Sequence, residues 1–156
     1  VAPAQDNASG SDHALARALA EAAGRLLLQL RQQVGFSPEQ LREQGDRRAH
    51  ESIVNALAKH RPRDCVLSEE GKDDPARLSA ERVWIVDPLD GTREYGENGR
   101  HDWAVHVALW ERGGLAAAAV ALPGLDEVLG TDHPPRIPTE SGVSERPLRI
   151  AVSRTR

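Results

Sequence analysis

An α+β domain, with two helices packed on an antiparallel sheet, is the fold class the sequence predicts, and three observations predict it. Leu15, Leu19, Ala22, Leu26 and Leu30 recur at helical spacing behind a Ser/Asp cap, which gives a first helix from Asp12 to about Val34. Ala49, Ile53, Ala56 and Leu57 give a second helix, Asp46 to His60, its inward face, and Pro62 blocks its continuation. Trp103 to Leu109 and Leu115 to Leu122 are apolar runs joined by Arg112-Gly113-Gly114, the pattern of a hairpin. Over 156 residues, 39% hydrophobic and 28% charged composition allows one sizeable core.

The other segments fit around these elements in order. Val1 to Ser11 are small and polar, lack the basic and apolar regions of a signal peptide, and are expected to form a loose tail before a domain at 12–156. Ser37-Pro38-Glu39-Gln40 reads as a cap with proline at the first helical position, a short turn of helix inside a loop that ends at Gly45. That leaves Asp46 as the expected N-cap of the second helix. On that helix His50 and His60 read as facing solvent, because no partner histidine or cysteine accompanies them.

Asp64 to Leu67 is expected to be a strand that delivers Ser68, Glu69 and Glu70. Side chains alternate along a strand, so only one of the two glutamates would face a given site. Gly71 to Glu81 is a polar surface connection. Val83 to Val86 suit a buried strand, which Pro88, lacking an N–H, would end at Asp87. Tyr95 to Asp102 is glycine-rich and reads as a loop, and His106 reads as packed within the first hairpin strand. Val128-Leu129 adds a short strand after the Pro123-Gly124 corner. Asp132 to Pro147 is a proline-rich connection, and Leu148 to Val152 reads as a further strand ending in Ser153-Arg154.

Charge and cysteine content narrow the function classes. A net charge of -4 and a pI near 5.9 argue against a surface that coats a nucleic-acid polymer. No apolar run approaches a membrane span. The single Cys65 excludes an internal disulfide framework, suits a reducing cytoplasm, and reads as a small filler on a strand.

The chemistry concentrates in Trp84 to Thr92, WIVDPLDGT. An apolar strand runs into Asp87-Pro88-Leu89-Asp90, a sequence suited to a type I turn, which would hold two carboxylates side by side. Close like charges repel, so a bound cation accounts for them better than folding does. An ordinary acidic turn is the plainer alternative. Carboxylates plus the Leu89 carbonyl form a hard oxygen set that suits Mg²⁺, with Mn²⁺ as the other ion of that class. Gly91 lets the backbone approach a ligand, and Thr92-Arg93-Glu94-Tyr95 can open a short helix whose N–H groups would hold an anion. Metal and anion cradle together point to phosphate chemistry.

With Ser68-Glu69-Glu70 and Gly45-Asp46 upstream, this motif resembles the inositol monophosphatase-like family of magnesium-dependent, lithium-sensitive phosphatases. The longer run WIVDPLDGTREYGENGRHDWAVHVALW looks most like its CysQ-type branch, the 3'(2'),5'-bisphosphate nucleotidases. The resemblance implies the N-terminal half of a layered αβαβα sugar-phosphatase fold, with family members continuing past the length of this chain. It implies that Glu69, Asp87, Asp90 and the Leu89 carbonyl hold two or three Mg²⁺ ions, a pair of them roughly 4 Å apart. It also implies that Asp46 and Thr92 orient a water, a role that can coexist with capping, and that Gly91 and Thr92 receive the phosphate. Glu70 would then sit behind the ligands or face water. By the same resemblance, Ser153-Arg154 meets the nucleotide, and a loop around residues 35 to 44 helps bind metal and closes over substrate.

The expected function is hydrolysis of the 3'-phosphate of 3'-phosphoadenosine 5'-phosphate to AMP, as in sulfate assimilation. The expected partners are a small phosphorylated substrate and further copies of the chain, with no nucleic-acid polymer and no membrane. Two alternatives stay open: inositol monophosphatase or fructose-1,6-bisphosphatase activity, and an inactive metal-binding fragment.

Overall fold

Ser11 opens the first helix by accepting the Ala14 N–H at 3.2 Å, with Asp12 in the first turn and Arg31 in the last complementing the helix dipole. Helix α1 accordingly spans Asp12–Arg31 in the computed structural model, which describes residues 11–136. Its buried face is Ala16, Leu19, Ala20, Ala23, Gly24, Leu27 and Leu30, so the expected stripe is only partly right: Ala22 is exposed, and Leu15 and Leu26 are half-buried. Small side chains let the helix lie close to what it covers. At Gly24 a Cβ would fall 2.7 Å from Pro123 Cγ.

The expected loop at 35–44 and the helix start at Asp46 are both corrected. One helix, α2, runs Pro38–His60. Ser37 and Gln40 form a complete capping box, the Ser37 hydroxyl accepting the Gln40 N–H at 3.2 Å and the Gln40 side chain accepting the Ser37 N–H at 3.0 Å. Gly45 does not break the helix but sits buried inside it, and Asp46 is therefore no N-cap.

Five strands lie side by side in chain order: β1 Cys65–Ser68, β2 Arg82–Asp90, β3 Ala104–Glu111, β4 Gly114–Leu122 and β5 Glu127–Gly130. The expected hairpin is β3–β4, closed through Arg112 and Gly113 at φ 50° and 91°, the mirror-image turn that suits strand twist. The expected short strand at Val128-Leu129 is β5. All pairings are antiparallel except β1 with β2, which is parallel because residues 69–81, including the 3-10 turn Pro75–Leu78, carry the chain back to the same end.

Pro88 does not end β2 as expected. Pairing with β3 is interrupted between Asp87 and Asp90 and resumes at Asp90 with Ala104, so proline occupies a gap in the ladder where no N–H is needed. The Leu89 N–H is satisfied by the Asp87 carboxylate at 3.2 Å. After Gly91 the expected short helix forms as α3, Thr92–Gly96.

Trp84, Val86 and Leu89 on β2 and Val105, Val107 and Leu109 on β3 pack with the buried faces of both long helices. On the opposite sheet face lie Ile85, exposed, and His106, Ala108, Trp110 and Val120, half-buried. At the start of β2, Arg82 binds Asp64, Asp12 and Glu111 at 2.8–3.0 Å, and Asp64 also accepts the Trp84 indole N–H at 2.8 Å. The expected tail before Ser11, the strand at 148–152 and Ser153-Arg154 lie outside the described residues, apart from Ser11 itself.

Candidate active site

Because β1 and β2 are parallel, both deliver their last residues to one end of the sheet. The register pairs Ser68 with Val86, and the Glu69 N–H continues the ladder onto the Val86 carbonyl at 3.1 Å. Glu69 thus leaves β1 at the level of Asp87. The Gly71 N–H then turns back to the Ser68 carbonyl at 3.0 Å, so Glu69 and Glu70 share a turn and do not alternate along a strand. Strand alternation therefore does not decide which of the two faces the site.

Asp46 enters from α2, half-buried. Burial first, and then the charges of Glu70, Asp87 and Glu69, push its carboxyl up to about 7, against a hydrogen bond from Thr92. Burial, Glu69 and Asp90 raise Asp87 to about 6, offset by the Leu89 N–H and by His106. Asp90 is exposed, and its carboxylate lies 3.2 Å from His106 Nε2, so His106 is a neighbour of the acidic corner and not merely strand packing. The Thr92 hydroxyl donates to the Leu89 carbonyl at 2.9 Å. A hydroxyl carries one proton, so at any instant Thr92 donates either to Leu89 or to Asp46.

Gly91 occupies the left-handed region at φ 80°, and a Cβ there would lie 3.0 Å from the Asp102 carbonyl oxygen. Both facts require glycine. No side chain caps α3, which leaves its opening turn, beside Asp46, turned toward the same corner.

Five carboxylates, from Asp46, Glu69, Glu70, Asp87 and Asp90, therefore surround one corner, and the groups that act most on the two half-buried ones are other carboxylates. Among the described residues, no three His, Cys, Asp or Glu side chains are drawn together tightly enough to enclose an ion. The donor chemistry at this corner, all hard oxygen, is of the kind that suits Mg²⁺. The sequence leaves Glu70 either behind the ligands or facing water, and its charge acts on Asp46; His106 and His50 read there as strand packing and as facing solvent, without their partners Asp90 and Ser68. The His50 Nδ1 lies 2.8 Å from Ser68 Oγ, so His50 is half-buried against β1 and not directed at solvent, whereas His60 is exposed as expected. Cys65 lies half-buried on β1.

The profile of the inositol monophosphatase family matches residues 7–133, and the chain belongs to that family. Within it, the 3'-phosphoadenosine 5'-phosphate phosphatase of Mycobacterium leprae is 49% identical over 156 aligned residues, covering 94% of this chain and 58% of that protein. The chain thus spans little more than half the length of this relative. The fold is likewise that of the family's solved structures. CysQ from Bacteroides thetaiotaomicron superposes with a TM-score of 0.67 at 30% identity, covering 77% of this chain and 45% of that one. The suhB protein of Bartonella henselae gives 0.67 at 29%, covering 81% and 53%. No helix among the described residues is long and apolar enough to cross a membrane.

Proposed function

We propose that this chain provides the metal- and phosphate-binding part of a Mg²⁺-dependent phosphomonoesterase that converts 3'-phosphoadenosine 5'-phosphate to AMP and inorganic phosphate. The observation that carries this reading is the pairing of Asp46 with Thr92 beside Glu69, Glu70 and Asp87, at the lip of Gly91. The substrate is the one in the name of the M. leprae relative.

Two or three Mg²⁺ ions, or Mn²⁺ in their place, held by Glu69, Asp87, Asp90 and the Leu89 carbonyl, would supply Lewis-acid polarisation of the phosphate and a more acidic water. Competition by Li⁺ follows from the family. The chain's own groups do the rest. Asp46 and Thr92 orient the attacking water, and Asp46 takes its proton as the oxygen closes on phosphorus. Gly91 and Thr92 N–H groups face the phosphate oxygens, where charge redistributes as the P–O3' bond breaks. The ribose O3' leaves and takes a proton from solvent, giving AMP, and Asp46 gives up to solvent the proton it accepted. Ser153 and Arg154, outside the described residues, are proposed to contact the nucleotide, and residues 12–156 to act as one α+β unit behind a tail at 1–11. The proposed setting is sulfate assimilation in the cytoplasm, with further copies of the chain as the protein partner and no nucleic-acid polymer or membrane involved.

Phosphate release from 3'-phosphoadenosine 5'-phosphate, inositol monophosphate and fructose 1,6-bisphosphate tests this, with Mg²⁺ present, on the wild type and Asp46→Asn. The reading expects preference for the nucleotide and loss of most turnover in the variant. Equal rates on all three favour the broader sugar-phosphatase reading. Mg²⁺ binding with no release from any substrate favours a non-catalytic metal-binding role.

A further inference from the structure

Ser68 is buried, 7% exposed, and its hydroxyl is met by His50 Nδ1 at 2.8 Å. Either tautomer serves, since the serine hydroxyl can donate to a bare ring nitrogen or accept from a protonated one. The imidazole also closes over the turn that follows Ser68. A Cβ at Gly71 would lie 3.2 Å from His50 Cε1 and 3.4 Å from Ser68 Cβ, so ring, serine and turn are in mutual contact. His50 stands four residues after Asp46 on α2, which places both side chains on one face of the helix. The link therefore joins the helical turn that presents Asp46 to the chain turn that presents Glu69 and Glu70.

We propose that His50 is a positioning residue: through Ser68 it fixes the Glu69-Glu70 turn against the Asp46 turn of α2, and so sets the spacing of the carboxylates that hold divalent cations. This rests on the metal reading of the site given above. His50 itself touches none of the proposed ligands. Without the link, the glutamates hang from one ladder bond at Glu69 and one turn bond at Gly71, both at an exposed strand end. Partners one layer behind metal ligands commonly govern affinity by about 10–100-fold when removed.

The test uses His50→Ala, Ser68→Ala, the double variant, and His50→Asn, whose side-chain amide can occupy the place of Nδ1. Amide hydrogen exchange on metal-free protein reads the Glu69 and Gly71 N–H groups directly, and calorimetry with MgCl₂ reads cation affinity. The expected result is exchange at Glu69 and Gly71 faster by about tenfold in each alanine variant, with core amides at Trp84 and Leu109 unchanged, and Mg²⁺ affinity lower by about tenfold. The double variant should be no worse than either single one, and His50→Asn should restore both readouts. Unchanged exchange at Glu69 and Gly71, or an equal rise at Trp84 and Leu109, would overturn the proposal. So would an asparagine variant as impaired as the alanine. If the wild type binds no Mg²⁺, the metal reading of the site fails, and with it the cation-spacing role; the exchange data then show whether the His50–Ser68 link itself orders the turn.

Discussion

Gly45 lies under the ring of Tyr95 so closely that a β-carbon there would sit 2.7 Å from Cε1, with Leu89 Cδ2 at 3.1 Å and Leu27 Cδ2 at 3.2 Å. The ring cannot retreat. It is fully buried, packed edge-to-face on Trp103 with centroids 5.0 Å apart, and its hydroxyl donates to the Leu27 carbonyl at 2.9 Å. The Arg31 guanidinium covers both rings at 5.6 and 5.7 Å.

Gly45→Ala therefore sets two effects against each other. Helix propensity alone would favour alanine by about 1 kcal/mol. Overpacking against an immobile ring costs about 1–3 kcal/mol. The net expectation is destabilisation, read as a lower midpoint in urea with an unchanged slope. A stabilised variant would show that Tyr95 can move.

Asp46→Asn should separate stability from turnover. Asp46 is held at about 7 against an ordinary 3.8, so the folded chain binds this proton more tightly than the unfolded chain does. Its contribution to stability without divalent ions is greatest below pH 4 and declines as pH rises to about 7. In chelator, the wild type should lose melting temperature between pH 5 and 7.5, and Asp46→Asn should lose less. The same variant is expected to fall by at least about 100-fold in kcat, the scale of a general base. Preserved kcat would remove Asp46 from the reaction.

Asp90→Asn is expected to weaken Mg²⁺ binding far more than Glu70→Gln, because Asp90 is proposed as a ligand while Glu70 acts through Asp46. Calorimetric titration of the two variants compares them directly. Equal losses would promote Glu70 to a ligand.

Arg82→Met removes the shared partner of Asp64, Asp12 and Glu111. The Asp64 side chain is only 8% exposed, and leaving it paired with the Trp84 indole alone should cost about 3 kcal/mol, read by chemical denaturation. Burial pushes the Asp12 carboxyl up, but the Arg82 and Arg61 guanidiniums outweigh it and hold the carboxyl below its usual value. That contribution is present above pH 4 and lost as pH falls further, so the variant should show a smaller acid loss than the wild type.

What the residues disclosed on their own was chiefly chemical. Asp87, Asp90, Gly91 and Thr92 could be placed at one corner because carboxylates, a glycine and a hydroxyl in that order have few structural uses. The hairpin and β5 were legible from apolar runs and turn residues. The first turns of helix α2, residues 38–45, were not legible as part of it, since Gly45 looks like a break until Tyr95 is known to lie across it. Pro88 looked like the end of a strand because the gap in pairing that shelters it depends on β3. The partners of His50 and Glu70 were not legible, because Ser68 and Asp46 are distant from them in the chain and are brought to them by the fold.

That parallel pair has one more implication, which concerns alignment. Evenly spaced ladder bonds look alike at every step, so the backbone alone does not tell β1 where to stop along β2. A one-residue slip would put Ser68 or Glu70 at the level beside Asp87 that Glu69 now holds, and turn Ser68 to the wrong face. Asp64, immediately before β1, is gripped by Arg82 and Trp84, two alternate residues of β2. A cluster that resembles ordinary ion pairing at the far end of the sheet thereby acts as an index mark, and it determines which glutamate arrives opposite Asp87.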